Sequence, residues 1–151
     1  MLHVDFLAFL LKAKQNTYAS GRTSDSSSRP ASHDLTFAEG SYLYIDTYLG
    51  GYAFVGEEAV WYAGAPLWGM NYYGKMLTSG IPEGFSPFLK NALLRVPPGE
   101  PYRGPAEYAE GDFLYQCTVT GAPDWFKGEE VIFREGKPVY RLDFHGGEVI
   151  Q

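Results

Sequence analysis

An internal repeat is the feature that most constrains the fold of this chain. Residues 56–77 align without gaps onto the residues 72 positions later, and six of the aligned positions are identical. Upstream, where residues 38–40 match residues 109–111, the offset is 71. A repeat of this length indicates two copies of one structural unit. Because 151 residues suit one domain, we predict a single domain over 1–151 with pseudo-repeats over 3–77 and 86–150.

Each copy begins with a helical pattern and continues with alternating strands. Apolar residues recur at helical spacing over 3–16 and 86–96, and the segments between and after them alternate with period two. One unit of a helix and three or four antiparallel strands cannot bury its apolar face alone. We therefore predict an α+β fold in which both units form one curved sheet with two helices on one face. The alternative is a closed antiparallel barrel that grips a helix. The serine-rich segment 19–32 is predicted to be a mobile loop.

Composition excludes several classes of function. The net charge is −6, and the 12 lysines and arginines are scattered, which argues against direct binding of nucleic acid. The apolar stretch 6–11 is too short for a membrane span or a signal core. A single cysteine, Cys117, cannot form an internal disulfide, which fits a reducing compartment. We therefore expect a cytoplasmic protein without membrane or nucleic-acid partners.

The last strand of each copy sorts its side chains into two sets. Trp68, Met70 and Tyr72 share one face, and their counterparts, the residues at the aligned positions of the second copy, are also apolar. This face is predicted to be the core. The opposite face carries Asn71 and Tyr73 in the first copy, where the second copy has different polar residues.

Residues that differ between the copies form the predicted ligand site. Polar groups on a diverged face can orient a ligand while tyrosine rings supply contact area. The candidate residues are Asp46, Tyr48, Asn71, Tyr73, Arg141, Asp143 and His145. Asp46 aligns with Cys117 on an aromatic strand face, where a carboxyl group has a raised pKa unless it is paired. A structural alternative is an aspartate that accepts hydrogen bonds from tyrosine hydroxyls.

Catalytic signatures are sparse. The chain has no P-loop, Rossmann glycine pattern or nucleophile elbow, and its three histidines lack zinc-site spacing. We therefore predict no metal and no cofactor. The repeated Glu-Glu pairs, at 57–58 and 129–130, are not catalytic dyads, since adjacent strand residues point to opposite faces. If Glu135-Gly136 is a two-residue turn, Glu130 lies opposite Arg141, which predicts a cross-strand ion pair.

Several motifs carry a family resemblance over almost the whole chain. They include Tyr44-Ile45-Asp46-Thr47-Tyr48-Leu49-Gly50-Gly51, Met70-Asn71-Tyr72-Tyr73-Gly74 and Phe144-His145-Gly146-Gly147. The chain resembles an uncharacterised bacterial family that occurs alone or behind an XRE-type helix-turn-helix. The resemblance implies a sensor or interaction domain in some relatives and assigns no catalytic residue. This chain has no helix-turn-helix segment, so DNA binding does not carry over.

Three functions remain open from the sequence. The first is binding or sensing of a small molecule in an aromatic-lined groove. The second is a protein-interaction module, including a homodimer, which needs an exposed aromatic patch. The third is an enzyme with Asp46 or His145 as general base, which requires both groups to approach one cavity.

Overall fold

The computed structural model describes residues 1–20 and 27–151. Residues 21–26, in the predicted mobile loop, lie outside the described residues. The elements are α1 (Phe6–Ser20), β1 (His33–Glu39), β2 (Tyr42–Gly50), β3 (Ala53–Tyr62), β4 (Ala65–Met76), α2 (Phe85–Leu93), β5 (Glu107–Glu110), β6 (Phe113–Ala122), β7 (Trp125–Arg134) and β8 (Lys137–Glu148). The first helix therefore runs further than predicted and the second ends earlier. Neither described helix is long and apolar enough to cross a membrane.

The eight strands form one antiparallel sheet in the order β1-β2-β3-β4-β8-β7-β6-β5. Each unit contributes four consecutive strands, and the units join where β4 pairs with β8. Tyr72 lies opposite its counterpart Phe144 at the middle of this junction. The sheet ends at β1 and β5 and is open. This confirms the predicted open sheet of two helix-plus-strand units, and the barrel alternative is wrong.

Two-residue turns close the last hairpin of each unit. Ala63 and Gly64 have φ angles of 49° and 85°, and Glu135 and Gly136 have φ angles of 50° and 78°. Two consecutive positive φ angles are typical of the type I′ turn, whose twist matches that of the flanking strands. Glycine at the second position avoids most of the steric penalty. Both turns lie where the sequence predicts them.

A bulge behind the second turn changes the predicted register. The pairing shifts by one residue between Ile132 and Phe133, so that Glu130 lies opposite Leu142 and Val131 lies opposite Arg141. The predicted ion pair between Glu130 and Arg141 is therefore wrong. A bulge places two residues of one strand opposite one of its partner, and the turn alone does not reveal it.

Both helices pack on the same face of the sheet. Phe6 of α1 lies 5.7 Å from the ring of Trp68, and Phe88 of α2 lies 5.1 Å from the ring of Phe113. All four side chains are buried. Trp68 belongs to the face predicted as core, and Met70 and Tyr72 are buried with it. In the part of the chain that the structure describes, no element covers the opposite face, which we call the open face.

Candidate functional site on the open face

Two rows of side chains cross the middle of the open face. The backbone pairings align one residue from each of β3, β4, β8 and β7 in each row. The first row is Glu57, Asn71, His145 and Lys127, and the second is Val55, Tyr73, Asp143 and Glu129. Because paired residues in an antiparallel sheet point to the same side, these eight side chains share one surface.

A groove of about 720 Å³ follows these rows. Four of the seven residues predicted for the ligand site line it: Asn71, Tyr73, Asp143 and His145. Lys127 of β7 lines it as well. The volume lies within the range of pockets that hold small organic molecules. The structure thus brings the diverged residues of β4 and β8 to one concave surface.

A smaller hollow of about 290 Å³ adjoins the groove. It shares Val55, Asn71 and His145 with the groove and adds Arg29 from the segment before β1. Arg29 is not among the residues predicted from the sequence, because the path of its segment does not follow from strand periodicity. Arg29-Pro30 precedes the first block of strands as Arg103-Gly104-Pro105 precedes the second, and that shared position was the available signal.

Most polar side chains of the groove are not used by the protein itself. Asn71, Asp143, His145 and Lys127 make no hydrogen bond or ion pair with any other side chain that the structure describes. Arg141 lies on the same face but pairs with Glu129. The bulge explains this pairing, since it leaves Glu129 on the open face beside Arg141. The groove therefore offers a ligand hydrogen-bond donors and acceptors, as well as a positive charge from Lys127 and a negative charge from Asp143.

Asp46 and Tyr48, the other two predicted residues, lie on the helix-covered face. Asp46 is buried and accepts a hydrogen bond of 2.6 Å from the Tyr72 hydroxyl, as the structural alternative expects. Tyr48 is half-buried, and its ring lies 4.9 Å from that of His33. The sheet separates both residues from His145. Asp46 and His145 therefore cannot act on one substrate in one cavity.

Buried ion pairs occupy the helix-covered face. Lys14 of α1 donates to Glu58 of β3 and to the carbonyl oxygen of Tyr102. Arg103, in the segment between α2 and β5, donates from Nε and an amino nitrogen to Glu130 of β7, at 3.0 and 2.9 Å. All four charged side chains are buried. Glu58 and Glu130 are counterparts. Each unit therefore has a buried carboxylate at the same position, and the cation that neutralises it comes from a different part of each unit.

Hydrogen bonds from two tyrosines complete the second of these pairs. Tyr115 and Tyr140 donate to Glu130 at 2.5 and 2.7 Å. Burial alone would raise the pKa of Glu130, but Arg103 and these hydroxyls hold it below its ordinary value. Glu130 is therefore a charged group that takes part in the packing of the buried face.

Asp46 is the fifth ionisable group in this buried cluster, and no cation of the described residues forms an ion pair with it. Burial, and after it the negative charge of Glu58, raises the pKa of Asp46 to about 7, while the hydrogen bond from Tyr72 opposes the shift. Its counterpart Cys117 has a pKa raised to about 12, mainly by burial. At this position one unit thus holds a titratable carboxyl group and the other an uncharged thiol.

Comparison with known protein families identifies the family of this chain. The family model for a domain of unknown function, DUF5680, matches residues 46–149. The chain belongs to this family. The DUF5680 region includes all seven predicted site residues and leaves out α1 and β1. The comparisons with curated proteins and with solved structures found no match. Within residues 1–20 and 27–151, no three histidine, cysteine, aspartate or glutamate side chains are grouped to hold a metal ion.

Proposed function

We propose that this protein binds a small polar organic molecule in the groove of the open face. One observation carries the proposal: polar residues that differ between the two units converge in a groove of about 720 Å³. Their polar groups are left unused by the described protein. Pockets of this size with a few convergent polar groups are the usual form of ligand sites.

The lining suggests the kind of ligand. Lys127 offers an ammonium group, Asn71 offers an amide that donates and accepts, and Asp143 offers a carboxylate. Tyr73 adds an aromatic ring, and this residue is 52% exposed. This set favours a molecule with an apolar centre and two kinds of polar group. One is an anionic or hydrogen-bond acceptor group, and the other is a hydrogen-bond donor. Binding without chemistry suits a sensing domain, which is also what the family resemblance implies for some relatives.

Native mass spectrometry of the protein purified from its own host tests the proposal. We expect the wild-type protein to carry additional mass from a bound molecule. Asn71→Ala, Tyr73→Ala and His145→Ala should each lower the occupied fraction. Tyr52→Ala is the matched control, because Tyr52 is similarly exposed, at 46%, and lies outside the groove. Equal occupancy in all four variants would contradict the proposal.

A protein partner or a second copy of the chain is the alternative occupant. It is favoured by the exposure of Val55, Tyr73 and Trp125 on a face that no described element covers. The same spectra report the number of subunits. A dimer that carries no small molecule and dissociates in the Tyr73→Ala variant would support this alternative instead. We infer a cytoplasmic location for either function from the single thiol of Cys117.

A further inference from the structure

A second hollow on the open face has a floor without side chains. Its volume is about 560 Å³, and Trp61, Gly69, Gly147 and Trp125 are among its lining residues. The pairings place Gly69 of β4 beside Gly147 of β8, and Gly147 beside Trp125 of β7. The bare floor therefore runs across the junction of the two units and ends at a tryptophan.

The fold does not require glycine at position 69. A Cβ atom built there would meet only the carbonyl oxygen of Glu58, at 3.6 Å, which is an ordinary contact, and the φ angle is not in the left-handed region. Glycine inside a strand weakens it, and a strand glycine often marks a place where a ligand approaches the backbone closely. Gly147 differs, because a Cβ atom there would overlap the backbone of Asp124.

The other unit shows what the same positions hold when the floor is filled. The counterparts of Gly69 and Gly147 are Arg141 and Lys75, which pair with each other across β4 and β8. The counterpart of Trp125 is Ala53. One end of the open face thus carries two cations beside a small residue, and the other carries a bare floor beside a tryptophan. The hollow is therefore not a consequence of the repeat.

The chemistry of the hollow favours a cation with an apolar surface. The Trp125 side chain is 84% exposed, although large aromatic side chains usually bury most of their area. Glu57, Asp124 and Glu148 also line the hollow, and Glu148 is paired with the α-ammonium group of Met1. No lysine, arginine or histidine is among the lining residues. Tryptophan faces attract cations, and aromatic sites with this property recognise quaternary ammonium groups. The nearby carboxylates add to that attraction.

We propose that this hollow is a second binding site, which takes a methylated ammonium group between Trp61 and Trp125 over the floor of Gly69. The site does not rest on the function proposed above, because Trp61, Gly69 and Trp125 do not line the larger groove. Variants that separate the two sites are available, since Tyr73 lines only the groove.

The test is a titration with choline, followed by NMR of the three tryptophan indole N–H groups. We expect choline to shift the resonances of Trp61 and Trp125 more than that of Trp68, which also lines the hollow but is buried. The neutral analogue, in which a tert-butyl group replaces the trimethylammonium group, should bind about tenfold more weakly. Equal binding of the neutral analogue would overturn the proposal.

Counterpart residues provide the variants. Trp125→Ala should weaken choline binding about tenfold, and Gly69→Arg should abolish it by filling the floor with a cation. Lys75→Ala and Tyr73→Ala are controls that should bind choline as the wild type does. Thermal unfolding checks that Gly69→Arg folds, and Trp125→Ala serves if it does not. Wild-type affinity in Trp125→Ala would also overturn the proposal, whereas loss of binding only in Tyr73→Ala would place choline in the groove.

Discussion

The two faces of the sheet differ in how closely the two units resemble each other at equivalent positions. On the helix-covered face, Glu58 and Glu130 are both buried, and each is neutralised by a cation, Lys14 or Arg103. On the open face, Asn71 and its counterpart Asp143 differ. A buried carboxylate needs a partner, so its position tolerates little change. An exposed position does not carry this cost, so the two units can differ on the open face with little loss of stability.

Removal of one buried cation should have the largest effect on stability among the variants that test this comparison. Arg103→Met leaves the Glu130 carboxylate buried, with the hydroxyls of Tyr115 and Tyr140 as its remaining side-chain partners among the described residues. We expect the free energy of unfolding to fall by about 3–5 kcal/mol, measured by urea denaturation at neutral pH. Lys14→Met should act in the same direction on Glu58.

A double variant serves as the control for these pairs. Replacing both Lys14 and Glu58 by apolar residues of similar size should restore most of the stability that Lys14→Met loses, because neither member of this ion pair is then left buried without the other. If the double variant is less stable than Lys14→Met, the pair has a role beyond mutual neutralisation, and the two faces are less distinct than we infer.

Asp46→Asn should change how stability depends on pH. The pKa of Asp46 is about 7 in the folded protein and 3.8 as the reference value, so the folded state binds more protons between these values. Wild-type stability should therefore fall, relative to the variant, as pH rises from 4 to 7. The difference should change by roughly 2–4 kcal/mol over this window. Parallel stability–pH curves for the two proteins would contradict the raised pKa of the buried Asp46 carboxyl group.

Gly128→Ala should cost more stability than Gly56→Ala, although the two glycines are counterparts. A Cβ atom at either position would overlap an aromatic ring, that of Tyr72 at Gly56 and that of Phe144 at Gly128. At Gly128 it would also press on the backbone oxygen of Thr118, which cannot rotate away. Overpacking typically costs about 1–3 kcal/mol, and we expect Gly128→Ala at the upper end. Thermal melts that rank the variants in the opposite order would refute this account of their packing.

Arg141→Ala should have the smallest effect. Arg141 and Glu129 form an ion pair on the open face in which both side chains are at least one-third exposed, and such pairs contribute about 0–1 kcal/mol. We expect a change in unfolding free energy within this range, which shrinks as salt is added. A larger, salt-independent loss would mean that the open face also stabilises the fold.

Local patterns predicted much of the architecture. Alternation along β4 placed Trp68, Met70 and Tyr72 in the core, and the glycines at 64 and 136 marked turns. The repeat then implied that two such units complete one sheet. These features depend on neighbours in sequence or on a pattern that appears twice, so they can be recognised before any long-range contact is known.

Other features depend on contacts that periodicity does not contain. Arg103 reaches Glu130 across 27 positions of the chain, and the bulge at Ile132 moves Arg141 by one register position. Two successive pairings, of β2 with β3 and of β3 with β4, also determine which β2 side chains share a face of the sheet with a given β4 side chain. For that reason the sequence predicts one site for Asp46 and Asn71, although the sheet separates them.

The most direct test of the account compares wild-type protein with the triple variant Asn71→Ala, Tyr73→Ala, His145→Ala, both purified from the native host. Native mass spectrometry and a thermal melt would be recorded on each. We expect the variant to fold cooperatively with a melting temperature close to that of ligand-stripped wild type, and to lack the bound molecule. The account is contradicted if the variant retains that molecule at wild-type occupancy, since the ligand would then lie away from the open-face groove.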